Sequence, residues 1–292
     1  MFRRPKLLFV WLCARCVQRE MLPEQDIRVE RAHAASVEEI NSLIYDVDEK
    51  VLLALLENPN FQEKHAELLA ARADVSAVVL TALAETEKGK WMASEGVRLR
   101  FAQHPHSPRR LAMAAVRHLF LFDLVRVCLL PAAPPDIRRL AEETILARVP
   151  HLRIGQKLTL ARRGPSRVAA AILAEGHPQA MKLALANGFL TESQVLKTLA
   201  RDSLNERVVA ALAAHPKWSC LYNIRVALIR NASVPAECVQ KFVGDLALND
   251  LTNLAKLAEI SCETRGVIVR EIERRKVKTE GESSGANASG AA

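Results

Sequence analysis

Aromatic side chains make up only 4% of the 292 residues, and there are 11 glycines. Strands draw on aromatic and β-branched residues and their tight turns on glycine, so both shortages argue against an all-β fold. Paired cysteines are also missing. Of Cys13, Cys16, Cys128, Cys220, Cys238 and Cys262, only the first two stand close together, as CARC. A structural zinc site would need a second pair or suitably spaced histidines, and none follows. The other four cysteines are single residues in apolar stretches and read as small buried hydrophobes in a reducing compartment.

Recognisable catalytic motifs are absent as well. The stretch EKGKW around Gly89 and Lys90 lacks the earlier glycine of a phosphate loop, and no H-E-x-x-H, G-x-S-x-G or dinucleotide fingerprint occurs. The histidines are His33, His65, His104, His106, His118, His151, His177 and His215; three of them, His104, His177 and His215, directly precede proline. They read as turn residues rather than metal ligands. Glu142 and Glu143 are sequence neighbours on one helix, so their carboxylates diverge. The sequence therefore assigns no catalytic residue, no metal and no cofactor.

Half of the residues are apolar, and with so few aromatics the core must come from Leu, Ala, Val and Ile. Alanine and leucine are strong helix formers, which points to an all-α protein. The net charge is +8, and Arg3, Arg4, Lys6, Arg15 and Arg19 against Glu20 place +4 of it in the first twenty residues. The remaining body is mildly basic, short of a nucleic-acid signature. The apolar run Leu7–Ala14 is too short for a membrane span, which takes about 20 residues, and Arg15 interrupts it before any small-residue cleavage site. It reads as an interfacial anchor, a degenerate export signal, or a segment upstream of a true start at Met21. The last of these, or a disordered leader, is the reading adopted. The division expected is a leader over 1–33, a helical repeat domain over 34–276 and a flexible tail over 277–292, rich in Gly, Ser and Ala. A cytoplasmic protein without a transmembrane span follows.

One short pattern recurs. VLLALLENPNFQ begins at 51, VRLRFAQHPHSP at 97, VVAALAAHPKWS at 208 and IRVALIRNASVP at 224. Each opens on Val or Ile and carries large apolar residues on one helical face. Each places Asn58, His104, His215 or Asn231 at the eighth position, followed by proline in three of the four. Proline removes an N–H and pushes the residue before it out of the α region, so a helix must end there; asparagine tolerates the left-handed geometry common just past a helix end. New helices are signalled at once. Ser107 and Pro108 stand at an N-cap and first helical position, and SVEE at 36, TESQ at 191 and SLNE at 203 read as capping boxes. Pro134, Pro135, Pro178 and Pro235 mark further starts. The spacing predicts roughly fourteen helices of about 9–14 residues joined by tight turns.

An apolar helix carrying Val-Arg or Ile-Arg and ending at an Asn-Pro or His-Pro turn resembles the bacterial leucine-rich-repeat-variant and HEAT-like α-solenoids. The likeness covers 51–70, 97–118 and 205–242 and fades between 119 and 190. It implies a right-handed superhelix of stacked helix pairs, HEAT- or armadillo-like, in which no pair can bury its apolar face alone. Some proteins of this kind carry an N-terminal cysteine-bound iron–sulfur module; Cys13 and Cys16 are two thiolates short of one.

A second regularity is a basic residue just before a core position. Arg110, Arg139, Arg167, Lys182, Arg207 and Arg225 repeat it from helix to helix and form a candidate partner-binding ladder. The plainer reading is a solvated face whose aliphatic stems cover apolar neighbours. The functional expectation is a non-enzymatic scaffold that binds a protein or peptide, acidic in character. The alternative is a nucleic-acid-binding solenoid resembling the HEAT-like alkylpurine DNA glycosylases, which would bring Trp91 and Trp218 into one groove beside a carboxylate.

Overall fold

The computed structural model describes residues 24–201 and 204–288. Among these there are nineteen α-helices, two short 3-10 helices and no strand, so the protein is all-α. The CARC pair, the basic start and the readings placed on residues 1–23 lie outside the described residues. Helices are more numerous and mostly shorter than the periodicity predicts. Packed helix begins at Glu24–Ala34, ahead of residue 34, since Ala32 and Ala35 are buried under the following helices. The last helix, Cys262–Ala288, runs on past residue 277.

The chain divides into two compact units, 1–144 and 145–292, with the boundary inside helix Pro135–Arg148. In both units a helix packs on its next-but-one neighbour as well as on the adjacent one. In the first unit, Glu24–Ala34 packs on Glu49–Leu56, which packs on Ala77–Glu85; Glu63–Ala71 packs on Glu95–Gln103, which packs on Leu121–Leu129. In the second, Ile154–Arg163 packs on Pro178–Leu185, while Ser166–Ala174, Glu192–Leu199, Tyr222–Arg230 and Leu248–Ala255 pack in succession. The core is aliphatic, with Ile40, Leu55, Leu69, Leu80 and Leu83 in the first unit and Val168, Ile172, Val195, Leu212 and Leu228 in the second fully enclosed.

The recurring turn explains this packing. Asn58 lies just past Glu49–Leu56 and is buried; its Nδ2 donates to the carbonyls of Ala32, at 2.8 Å, and Ala35, at 3.0 Å. Its Oδ1 accepts from the N–H of Asn60, at 2.7 Å. Asn187 does the same in the second unit. Its Nδ2 donates to Ala161 at 2.8 Å and Gly164 at 3.1 Å, residues 26 and 23 positions earlier as in the Asn58 case, and its Oδ1 accepts from Phe189 N–H at 2.7 Å. His104 makes the equivalent bonds with an imidazole ring. Its Nδ1 accepts from the His106 N–H at 3.0 Å, and its Nε2 donates to the Arg72 carbonyl at 2.6 Å. A single polar side chain thus closes its own turn and satisfies the carbonyls that end the neighbouring helix, groups with no partner inside their own helix. An apolar residue three positions on is buried beneath four of these turns: Phe61, Leu190, Trp218 and Val234.

Two sequence expectations about these turns need correction. His104, His215 and Asn231 have extended backbones, with φ between −73° and −80°, so the left-handed region is not what selects them. They are selected as side-chain hydrogen-bonding groups. His177 is not one of the set; it is exposed, and the turn before it is made by Gly176 at φ +76°. The capping signals also shift. SVEE forms its box at Ser36 and Glu39. Helix Arg109–Arg117 starts one residue later than expected because Pro108 is extended, and Asn205 caps Glu206–Ala214, accepting from Arg207 N–H at 2.9 Å. Thr191 makes no cap bond; its N–H is taken by Ser166 Oγ instead.

The histidines give the fold a pH dependence. Burial holds His65, His104 and His215 below the ordinary histidine value, and in each the Nδ1 accepts a backbone N–H that protonation would displace. A lowered folded pKa means that the unfolded chain takes up the proton first. Stability is therefore present above about pH 6.5 and is lost as pH falls through that value and on toward the folded pKa values. Urea midpoints measured from about pH 7.5 down to about 5.5 should fall, and less steeply in His104→Gln. A flat profile would refute the assignment.

Candidate partner-binding surface

The six ladder residues do not share one helical position. Arg110, Arg167 and Arg207 are second in their helices, Arg109–Arg117, Ser166–Ala174 and Glu206–Ala214, whereas Arg139, Lys182 and Arg225 sit farther along theirs. Arg110 and Arg139 belong to the first unit and the other four to the second. Arg110, Arg139, Lys182 and Arg207 are exposed. Arg139 pairs with Glu143 at 3.1 Å along its own helix.

Arg225 has a different job. Its Nε donates to the Ser219 carbonyl at 2.6 Å, its Nη1 bonds Asp245 at 2.6 Å, and its guanidinium lies over the Phe242 ring. Arg98, at the same place in the first unit's pattern, donates to the Met92 and Ala93 carbonyls at 3.3 and 3.0 Å. The arginine of the Val-Arg and Ile-Arg pairs therefore closes the turn preceding its own helix. Arg72, Arg265 and Arg275 likewise cap carbonyls, those of Ile44 and Asp46, of Leu257, and of Val243, Gly244 and Leu246. Much of the positive charge is thus spent on helix ends, where cations are favourable.

In the first unit a shallow groove crosses Glu63–Ala71, Glu95–Gln103 and Leu121–Leu129. Arg100 pairs with Glu67 at 3.5 Å and Arg126 with Asp123 at 3.2 Å. Gly96 allows the Glu67 carboxylate to lie close, since a β-carbon there would come within 2.7 Å of its oxygen. Partial desolvation raises the Glu95 pKa, helped by a hydrogen bond with Asp123. The groove's charges are matched to one another rather than offered to a ligand.

The second unit carries a larger opening, a cleft of about 650 Å³. Three helices run side by side into it. Their N-terminal ends are tied by Asn223 to Glu192 at 2.9 Å and by the Tyr222 hydroxyl to Asp250. The opposite ends of Glu192–Leu199 and Tyr222–Arg230, with the residues that follow Leu248–Ala255, line the cleft. Leu196, Leu199, Leu204 and Leu257 supply apolar surface, and Arg201, Arg230 and Glu259 the charge. Arg201 and Arg230 are exposed and make no ion pair or side-chain hydrogen bond among the described residues. Neither belongs to the ladder read from sequence. The signal that could have found Arg230 is its place one residue before the Asn231 turn, at a helix end. No family model, curated protein or solved structure matches the chain.

Proposed function

We propose that the protein is a non-enzymatic interaction scaffold, a right-handed α-solenoid of the HEAT or armadillo type resembling leucine-rich-repeat-variant proteins, which binds an acidic protein or peptide. The observation that carries this is the shared latch at Asn58 and Asn187. In each unit one asparagine, at the same spacing, ties the end of the helix it follows to that of the next-but-one neighbour, as stacked repeats require. The burial of Trp91 and Trp218, at 5% and 2% exposure, counts against the nucleic-acid alternative, which called for those two rings in an open groove.

Affinity capture from the native cell, with and without nuclease, tests the proposal. A protein partner should survive nuclease. Charge reversal of Arg110, Arg139 and Arg207 together should leave the melting curve intact, as all three are exposed, and weaken an acidic partner only through long-range charge, an effect that added salt should screen. Micromolar binding to duplex DNA with a steep salt dependence, abolished by the same triple change, would replace the scaffold with a nucleic-acid reader.

A further inference from the structure

The cleft in the second unit combines two features: its two arginines have no side-chain partner among the described residues, as is also true of Arg110, Arg162 and Arg207, and they stand beside an apolar floor. Arg72, Arg98, Arg225, Arg265 and Arg275 cap carbonyls, and Arg100, Arg126 and Arg139 meet carboxylates. Arg201 and Arg230 do neither, although both stand at the rim of a leucine-lined space. Unpaired guanidinium groups beside an apolar floor offer two kinds of contact at once, a planar fork for carboxylates and a desolvated pocket for an aliphatic side chain. An extended strand presents both kinds of group within a few residues. A volume of about 650 Å³ accommodates a few residues of such a strand.

We propose that this cleft docks an extended acidic peptide segment of the partner protein, with carboxylates on Arg201 and Arg230 and an aliphatic side chain among Leu196, Leu199, Leu204 and Leu257. The assignment rests on the scaffold reading and locates its binding site. Glu259 in the lining excludes a uniformly acidic sequence, so the segment combines one or two carboxylates with apolar neighbours. A nucleic acid fits less well: two arginines contact few phosphates, and no aromatic residue lines the cleft to stack a base.

The test uses the full-length protein and a random twelve-residue peptide library displayed on phage. The selected peptides should be enriched in Asp or Glu next to Leu, Ile or Val. Synthetic copies of them, measured by fluorescence anisotropy, should lose at least tenfold in affinity to the double variant Arg201→Glu/Arg230→Glu and less to Arg201→Gln/Arg230→Gln. Both variants should melt as the parent does, because neither arginine has a partner to lose among the described residues. Peptides without acidic enrichment, or peptides that bind the double variant unchanged, would overturn the cleft while leaving the scaffold standing. A library that yields nothing, with no protein captured from cells, would remove both. A twenty-nucleotide poly(dT) probe bound in an Arg201- and Arg230-dependent way would overturn the peptide assignment in favour of nucleic acid.

Discussion

Asn187→Ala is expected to lower the unfolding free energy by roughly 3 kcal/mol. The side chain is 1% exposed and makes three hydrogen bonds, to the carbonyls of Ala161 and Gly164 and from the N–H of Phe189. Truncation strips a partner from each of these groups at a site closed to bulk water, and each buried orphan costs about 1–3 kcal/mol. Asn187→Asp should be worse at neutral pH, because a carboxylate would face two carbonyl oxygens in place of a donor. Asn231→Ala provides the internal comparison. Asn231 is only half-buried and accepts from Ser233 N–H at 3.0 Å, so its loss should cost about 1 kcal/mol or less. Urea denaturation measures all three. Equal costs for Asn187→Ala and Asn231→Ala would show that the latch is not what joins neighbouring helices.

Trp218→Ala should cost roughly 3–5 kcal/mol, the range for emptying a buried aromatic site. Among the described residues Trp218 is the largest fully enclosed side chain, and it sits at the apolar position of the His215 turn. It also carries the polar link that Asn187 and His104 supply elsewhere: its Nε1–H donates to the Leu185 carbonyl at 3.0 Å, 33 residues back. His215, half-buried, only closes the turn, accepting from Lys217 N–H at 3.3 Å. The two roles separate by substitution. Trp218→Phe keeps most of the volume and removes the donor, so it should cost about 1–3 kcal/mol. If Trp218→Phe matches the parent in denaturation, the hydrogen bond to Leu185 contributes nothing and packing alone holds the site.

The two effects show why the recurring pattern was only partly legible. The eighth-position residues Asn58, His104, His215 and Asn231 stand out because a helix ends on them and, in three cases, proline follows. Asn187 makes the same contacts as Asn58, yet Gly188 replaces the proline, so the turn in LANGFLTE escapes a search built on proline. The cue that unites them is the asparagine or histidine acting through its side chain together with the residue three places on. Phe61 and Leu190 occupy that place alike, and both are buried.

The candidate site was less legible still. Arg225 reads as one more rung of a basic ladder, but it closes the turn at Ser219 and pairs with Asp245. Arg201 carries no pattern that distinguishes it from the other arginines, and Arg230 only its place before the Asn231 turn. Their interest lies in the apolar floor beside them, and that depends on where Leu199, Ala227 and Leu257 come to rest.

Composition and local pattern determined that this protein is built from short helices and where many of them stop. Those facts follow from alanine and leucine content, from proline's missing N–H, and from turns whose bonds span two or three residues. Tertiary structure alone decided which carbonyl each buried asparagine answers, which arginines are consumed at helix ends and which remain at the rim of a cleft. The bonds of Asn58, Asn187, Trp218 and Arg275 join residues 26 to 33 positions apart, and no local signal can fix such a partner before the helices between them have packed.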